Sequence, residues 1–371
     1  MKVLVTNAEY GNALAAVRSL GKRGVQVVAG SEKRIAQCSY SKYTQESVRY
    51  PSPGNHESFV RALKDLARSK GIDVILPIGY DANVALSRNI DIMKGTAAVP
   101  VAPWESMEVA SDKARTMDLA KRIGIDIPRT YGTPDEVDQF PVVVKGALGS
   151  GMVWYANDLG QLRAAYMDGA VIQEYIPGDG YGFFALFNHG EPRATFMHRR
   201  LREFPITGGA SSAAVSVRDD ALNESGMRIL EELKWHGVAM AEFKKDSRDG
   251  RFKLIEVNPK FWGSLDLSVA AGVDFPYLCA QMAAEGDVAP VTGYKEGVKF
   301  RWVFPQDLMH AIASKSLAAF VSEFFDDSMM SNIDPDDIAP NLVQLLSVPF
   351  TLKSALRTGS IRHPHGQVVK V

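Results

Sequence analysis

Glu256 and Asn258 stand two residues apart in the run KLIEVNPKFWGSL, residues 253–265. In a strand their side chains leave on one face while Ile255 and Val257 leave on the other, so a carboxylate and an amide oxygen lie side by side. The segments VAMAEFKKD and RFKLIEVNP, separated by SRDG, read as a hairpin. With its turn near Arg248, Glu242 faces Leu254 and lies diagonal to Glu256, within the roughly 7–8 Å that diagonal cross-strand neighbours span. Two carboxylates and an amide suit Mg²⁺, which prefers oxygen ligands and shares its shell with substrate phosphates. No His or Cys joins them, which argues against zinc. Acidic hairpin residues also occur simply facing water, and the hairpin by itself leaves that reading open.

Cationic and glycine-rich positions supply the complementary chemistry. Lys145 ends the apolar run PVVVK, and GALGSG follows, with Gly149, Ser150 and Gly151 in a loop whose backbone amides can approach phosphate oxygens closely. The loop matches neither the P-loop nor the kinase pattern. Lys113 falls in the first turn of a helix capped at Ser111 or Asp112. In HRRLREFPITGGAS, Arg199, Arg200 and Arg202 set guanidinium groups beside a glycine turn, suited to a carboxylate or phosphate. Strand alternation lets at most two share a face, and Arg200 and Arg202 are the chosen pair; a solvated strand end is the competing reading. His198 reads as a packing or hydrogen-bonding residue, and Phe261 and Trp262 read as core.

The elements that must position these groups follow from periodicity. KVLVT, NALAAVRSLGKRG and VQVVAG form a βαβ opening, and HESFVRALKDLARSKG leads into DVILPIG, so residues 1 to about 105 read as a small parallel α/β domain. The first turn, TNAEYGN, lacks the dinucleotide glycine fingerprint, which weakens a nicotinamide or flavin reading. VPVAPWES at residues 99–106 connects to a second unit. Over residues 291–371 no motif stands out; FRWVFPQDLMHAIA reads as a strand running into a helix, and NLVQLLSVPFTLKSALRTG as an apolar stretch that packs on the core, with an oligomer contact or a membrane surface as the other uses. The two histidines of HPH lack further ligands nearby.

With 371 residues, 46% hydrophobic, the chain is long enough for two or three domains. Its 42 Lys and Arg against 43 Asp and Glu leave no global field to recruit nucleic acid or an anionic membrane. No stretch approaches the roughly 18 apolar residues of a membrane span, and Cys38 and Cys279 match no metal or redox spacing; a cytoplasmic protein with reduced thiols is expected.

From Asp112-Lys113 through VVVKGALGSG, VIQEYIPGDG and MAEFKKD to LIEVNPKFWGS, the chain resembles the ATP-grasp superfamily over residues 1 to about 285, especially its carbamoyl-phosphate-synthase-like branch of carboxylate-amine ligases. The resemblance implies a multidomain α/β and α+β chain. An N-terminal parallel α/β pre-grasp domain (1–105) precedes a two-lobed ATP-grasp module (106–290, lid about 135–180) and a C-terminal extension (291–371). It implies ATP and Mg²⁺ as cofactors, with Mn²⁺ an acceptable substitute. Lys113 and Lys145 would contact the phosphates, the loop with Gly149, Ser150 and Gly151 would close over them, and Glu174 with the backbone of Tyr175 and Ile176 would hold adenine. Asp179 would meet the ribose, and Glu242, Glu256 and Asn258 would ligate two Mg²⁺ ions. Relatives commonly carry Asn-Pro-Arg where Asn258-Pro259-Lys260 stands; lysine keeps the charge beside the transferred phosphate but loses the bidentate fork. The implied activity is an ADP-forming ligase that activates a small-molecule carboxylate as an acyl phosphate and couples it to an amine or ammonia, using Lys260, Arg200 and Arg202. A kinase on the same scaffold and a nucleotide-binding regulator without turnover are the alternatives, and a homo-oligomer is compatible with the sequence.

Overall fold

The computed structural model describes residues 1–146, 153–206 and 208–357. Among them fifteen strands form three sheets. The first is parallel, with β1 (Lys2–Val5), β2 (Gln26–Ser31), β3 (Thr44–Arg49) and β4 (Val74–Leu76) in the order β3-β2-β1-β4. Helices Gly11–Lys22 and His56–Lys70 supply the crossovers. Val3, Leu4, Val5 and all of β4 are buried, as expected of strands covered on both faces.

The second sheet is antiparallel, with β5 (Thr130–Tyr131), β6 (Val142–Lys145), β7 (Val153–Ala156) and β8 (Val171–Glu174) in the order β5-β8-β6-β7. The third contains β9 (Gly180–Asn188), β10 (Glu191–Phe204), β11 (Ala210–Ser216), β12 (Gly237–Lys245), β13 (Phe252–Asn258), β14 (Lys299–Arg301) and β15 (Met329–Ser331), in the order β13-β12-β9-β10-β11-β14-β15. Alternation sorts its side chains. Phe183, Phe187, Ala239, Ala241 and Phe243 pack with helix Asp220–Glu232 on one face, whereas Phe184, Leu186, Val238 and Met240 join Trp262, Phe275 and the apolar side chains of β1 and β2 on the other. Phe261 and Trp262 are thus core residues, as the sequence suggests.

One register departs from expectation. Glu242 lies opposite Glu256 and Phe243 opposite Leu254, so Ile255 is the extra residue of a β-bulge. Strict alternation would place Leu254 with Glu256 and turn Ile255 away. The bulge instead sends Leu254 and Val257 into the core beside Phe243 and turns Ile255 toward the cleft described below.

The C-terminal region is also more than a trailing piece, because β14 and β15 extend the third sheet. Beyond them Asp337 accepts Arg18 Nε at 2.9 Å, Ser41 Oγ at 2.8 Å and the Lys42 amide at 2.7 Å, tying this region to the first sheet and its helix. Helix Ala339–Arg357 then turns Asn341 and Gln344 inward, while Leu346 and Phe350 are 72% and 76% exposed. This overturns the expectation that its apolar side packs on the core: the inward positions are occupied by polar partners of Arg18 and Gln37. The HPH histidines lie outside the described residues. No helix among the described residues is long and apolar enough to cross a membrane.

Arg18 and Asp337 are both buried, so Asp337→Ala leaves the guanidinium without its charge partner. A loss of about 3 kcal/mol in denaturant unfolding is expected; an unchanged midpoint would show that the tie carries no energy.

Candidate active site

A cleft of ≈ 650 Å³ separates the second sheet from the third, and every described residue singled out from the sequence as a site residue lines it. Lys113 is placed by a helix cap: the Asp112 carboxylate accepts the Ala114 and Arg115 amides at 2.9 and 3.1 Å. From there Lys113 Nζ reaches Glu256 Oε2 at 3.6 Å. Lys145, at the end of β6, is buried and donates to Gln173 Oε1 at 3.2 Å. Burial pushes its pKa down, and the charges of Glu256 and Glu242 oppose that shift. Lys260 is held the same way, lowered by burial and supported by Glu256, Asp81 and Glu242.

Glu242 and Glu256 face each other across β12 and β13, and each has a cationic neighbour: Arg200 lies 2.8 Å from Glu242 Oε2, and Lys113 stands by Glu256. Asn258 Nδ2 donates to Glu256 Oε1 at 2.7 Å, which leaves the amide oxygen as the group's remaining ligand atom. Among the described residues no three His, Cys, Asp or Glu side chains gather as a metal nest. The set of two carboxylates and one amide oxygen nonetheless fits a hard cation that takes the rest of its shell from water and phosphate.

Four of the expected ligand contacts already have partners within the protein. Glu174, offered for the adenine, lines the cleft with its carboxylate on the Arg129 amide and Arg248 at 2.9 Å each, while alternation in β8 directs its neighbour Gln173 to Lys145. The Tyr175 amide donates to the Pro141 carbonyl, and the Ile176 carbonyl receives Lys244 Nζ at 2.9 Å, so adenine contacts through these atoms compete with protein partners. Asp179, offered for the ribose, pairs with Arg199 at 3.0 Å. Arg202, offered for the substrate, has its fork taken by Asp307 at 2.9 and 3.0 Å and by Glu323 at 2.6 and 2.8 Å. Gly149, Ser150 and Gly151 lie outside the described residues. Arg200, Lys113, Lys145, Glu242, Glu256, Asn258 and Lys260 are brought together as expected.

Gln173, Glu203, Lys244 and His310 line the cleft without having been singled out. Lys244 shares Glu242's strand parity, a signal present in AEFKK; burial lowers its pKa, with Glu203 and Glu242 opposing. Glu203 accepts the Gly208 amide at 2.8 Å; burial raises its pKa, and the Arg200 charge opposes that. In the turn between β8 and β9 Gly178 has φ +122°, and a Cβ there would strike the Lys245 carbonyl.

Residues 167–304 match the family model described as ATP-grasp in the biosynthetic pathway with Ter operon. Among solved structures, the chain is similar to N5-carboxyaminoimidazole synthetase from Staphylococcus aureus (TM-score 0.64, 13% identity, covering 88% of this chain and 86% of that one). It is also similar to L-amino acid ligase from Bacillus licheniformis (TM-score 0.61, 16% identity, 78% and 77% covered). At these identities the likeness shows the fold. In sequence it is 40% identical over 183 residues to 5-formaminoimidazole-4-carboxamide-1-(beta)-D-ribofuranosyl 5'-monophosphate synthetase of Pyrobaculum islandicum, covering 48% of this chain and 52% of that protein. The namesake from Pyrobaculum neutrophilum matches at 40% over 79 residues, 20% and 21% of the two chains. The chain thus spans about half or less of the curated relatives it matches.

Two measurements test the site. Mn²⁺ binding in the presence of ATP, followed by electron paramagnetic resonance, should weaken at least about tenfold in Glu256→Gln; equal affinity would remove Glu256 from the ligand set. His198 is wholly buried, bonds Ser264 Oγ at 2.9 Å and stacks on Phe184, and burial followed by the Arg200 charge pushes its pKa down to about 3. An unfolded histidine titrates near 6.5, so the unfolded chain takes up a proton that the folded one refuses. Its contribution is therefore fully present above about 6.5 and lost as pH falls toward 3. Urea titrations across that window should show a shallower decline in His198→Gln, and parallel curves would refute the assignment.

Proposed function

We propose that the protein is an ADP-forming ligase that uses ATP and Mg²⁺ to activate a small-molecule carboxylate as an acyl phosphate and then joins it to an amine or ammonia. One observation carries this reading: Lys113, Lys145, Lys260 and the Glu242-Glu256-Asn258 set converge in a single cleft. The names of the similar proteins, which are ligases and synthetases, support bond formation over simple phosphorylation.

In this reading Lys113 and Lys145 lie along the phosphates, and Lys260 meets the charge that grows on the transferring phosphoryl group. Mg²⁺ bound by Glu242, Glu256 and Asn258 would neutralise phosphate charge and hold the γ-phosphate for in-line attack. A substrate carboxylate oxygen forms the new bond to phosphorus as the bond to ADP breaks. Arg200, already bridging Glu242 and Glu203, orients that carboxylate. The amine then displaces phosphate. The second sheet with the loop after Lys145 acts as the lid that keeps water from the acyl phosphate. Residues 1–105 serve as the pre-grasp domain, 106–290 as the ATP-grasp module with its lid at about 135–180, and 291–371 as the C-terminal extension. The enzyme works in the cytoplasm, accepts Mn²⁺ in place of Mg²⁺, and is compatible with a homo-oligomer.

Incubation with ATP, Mg²⁺ and panels of carboxylic acids and amines should release ADP and phosphate together with an amide. A stable phosphorylated product would favour a kinase, and tight nucleotide binding without ADP release across the panels would favour a regulator. Lys260→Met should lower the rate about a hundredfold or more; wild-type turnover would move Lys260 out of the mechanism.

A further inference from the structure

The C-terminal region, which carries no motif, brings a histidine into the cleft. Helix Leu308–Ala313 follows β14, and His310 on it lines the same cavity as Glu242 and Lys145. Its Nδ1 lies 2.8 Å from the Glu203 carbonyl. A carbonyl can only accept, so the proton of the neutral ring belongs on Nδ1 and Nε2 carries the lone pair. Nε2 has no hydrogen-bond partner among the described residues. The ring is anchored from behind: Asp307, three residues earlier, takes the Arg202 fork together with Glu323, and Arg301 pairs with both acids at 3.6 and 3.1 Å. Around His310 the charged groups are therefore Arg202 and Glu203 from β10, Arg301 from β14, Asp307 from the preceding turn and Glu323 from the end of the 317–322 helix. All of these except Glu203 are locked into that cluster, and Glu203 is held by Arg200 and the Gly208 amide.

Seen from the metal-ligand set, the order along the cleft is Glu256, Glu242, Arg200, Glu203 and then His310. At this far end His310 lines the cleft, and with Nδ1 engaged by the Glu203 carbonyl its Nε2 is the ring nitrogen left to accept a proton. We propose that His310 is the general base for the amine half of the reaction, an inference that rests on the ligase reading. The amine nitrogen's lone pair forms the bond to the acyl carbon, the carbon–oxygen bond to phosphate breaks with its electrons going to the phosphate oxygen, and the N–H proton passes to His310 Nε2. Without an acceptor, that proton would stay on nitrogen and the amide would leave as the less stable cation.

The test separates the two half-reactions. Hydroxylamine, largely unprotonated at neutral pH, traps the acyl phosphate as a hydroxamate without needing a base. In His310→Asn, whose amide still donates to the Glu203 carbonyl, hydroxamate yield should stay at half the wild-type value or more while amide formation falls about a hundredfold. Imidazole added to His310→Ala should restore part of the amide rate. Wild-type amide formation in His310→Asn, with hydroxamate formed by both proteins, overturns the base and leaves the ligase reading standing. Absence of hydroxamate from the wild-type protein sinks the ligase reading and the base with it. Independently of turnover, ¹⁵N-histidine spectra of the full chain with a non-hydrolysable ATP analogue and Mg²⁺ should show the Nδ1–H tautomer at His310, and an Nε2–H tautomer overturns the proposal.

Discussion

Two carboxylates held face to face set the terms for the cleft. Glu242 and Glu256 occupy opposed register positions on β12 and β13, where like charges destabilise a sheet. The arrangement persists because Arg200 approaches one acid at 2.8 Å, Lys113 the other at 3.6 Å, and the Asn258 amide donates to Glu256 at 2.7 Å. The dependence is mutual. Burial lowers the pKa of Lys145 and of Lys260, and the same two acids are among the charges that keep both ammonium groups favourable. Removing either sign would therefore leave the other buried and uncompensated. A divalent cation with its phosphates offers a second solution to the same problem, which is why this pairing reads as a place for one.

The bulge at Ile255 explains how a single strand serves both the core and the site. A strictly alternating β13 would give up either Leu254 or the Glu256 pairing. With Ile255 as the extra residue, Leu254 and Val257 both enter the core beside Phe243 and Phe252, while Ile255, Glu256 and Asn258 all face the cleft. Ile255 and Met240 both line the cleft, and the Glu256 and Asn258 oxygens follow after Ile255 in the strand.

Features that depend on a few neighbouring residues were legible in the sequence. The Asp112 cap that places Lys113, the strand end at Lys145, and the shared parity of Met240 and Glu242 all follow from local rules, and the structure keeps them. The bulge was hidden because one inserted residue shows only when two strands are paired. Arg202 looked available because its partners Asp307 and Glu323 are 105 and 121 positions away. Gln173 shows a signal that was present but unused: alternation through VIQE sends it to Lys145 while Glu174 meets the Arg129 amide. Strands of three residues such as β14 and β15 carry too little periodicity to be read at all.

The three arginines of β10 show why residue type alone does not define a substrate site. Arg199 is spent on Asp179 at the exposed rim, Arg200 bridges Glu242 and Glu203 inside the cleft, and Arg202 ties the C-terminal region to the sheet through two acids. Only the middle one contacts a carboxylate of the opposed pair on β12 and β13. Buried ion pairs of the Arg202 kind are weak sources of stability, since apolar replacements of similar volume often fold as well. What the cluster does supply is direction: a planar fork between two carboxylates fixes where Asp307 lies, and with it the helical turn that carries His310. The C-terminal region is thereby built into the wall of the cleft, which makes the shape of its far end a property of residues 299–325 as much as of the strands that bear the lysines and acids.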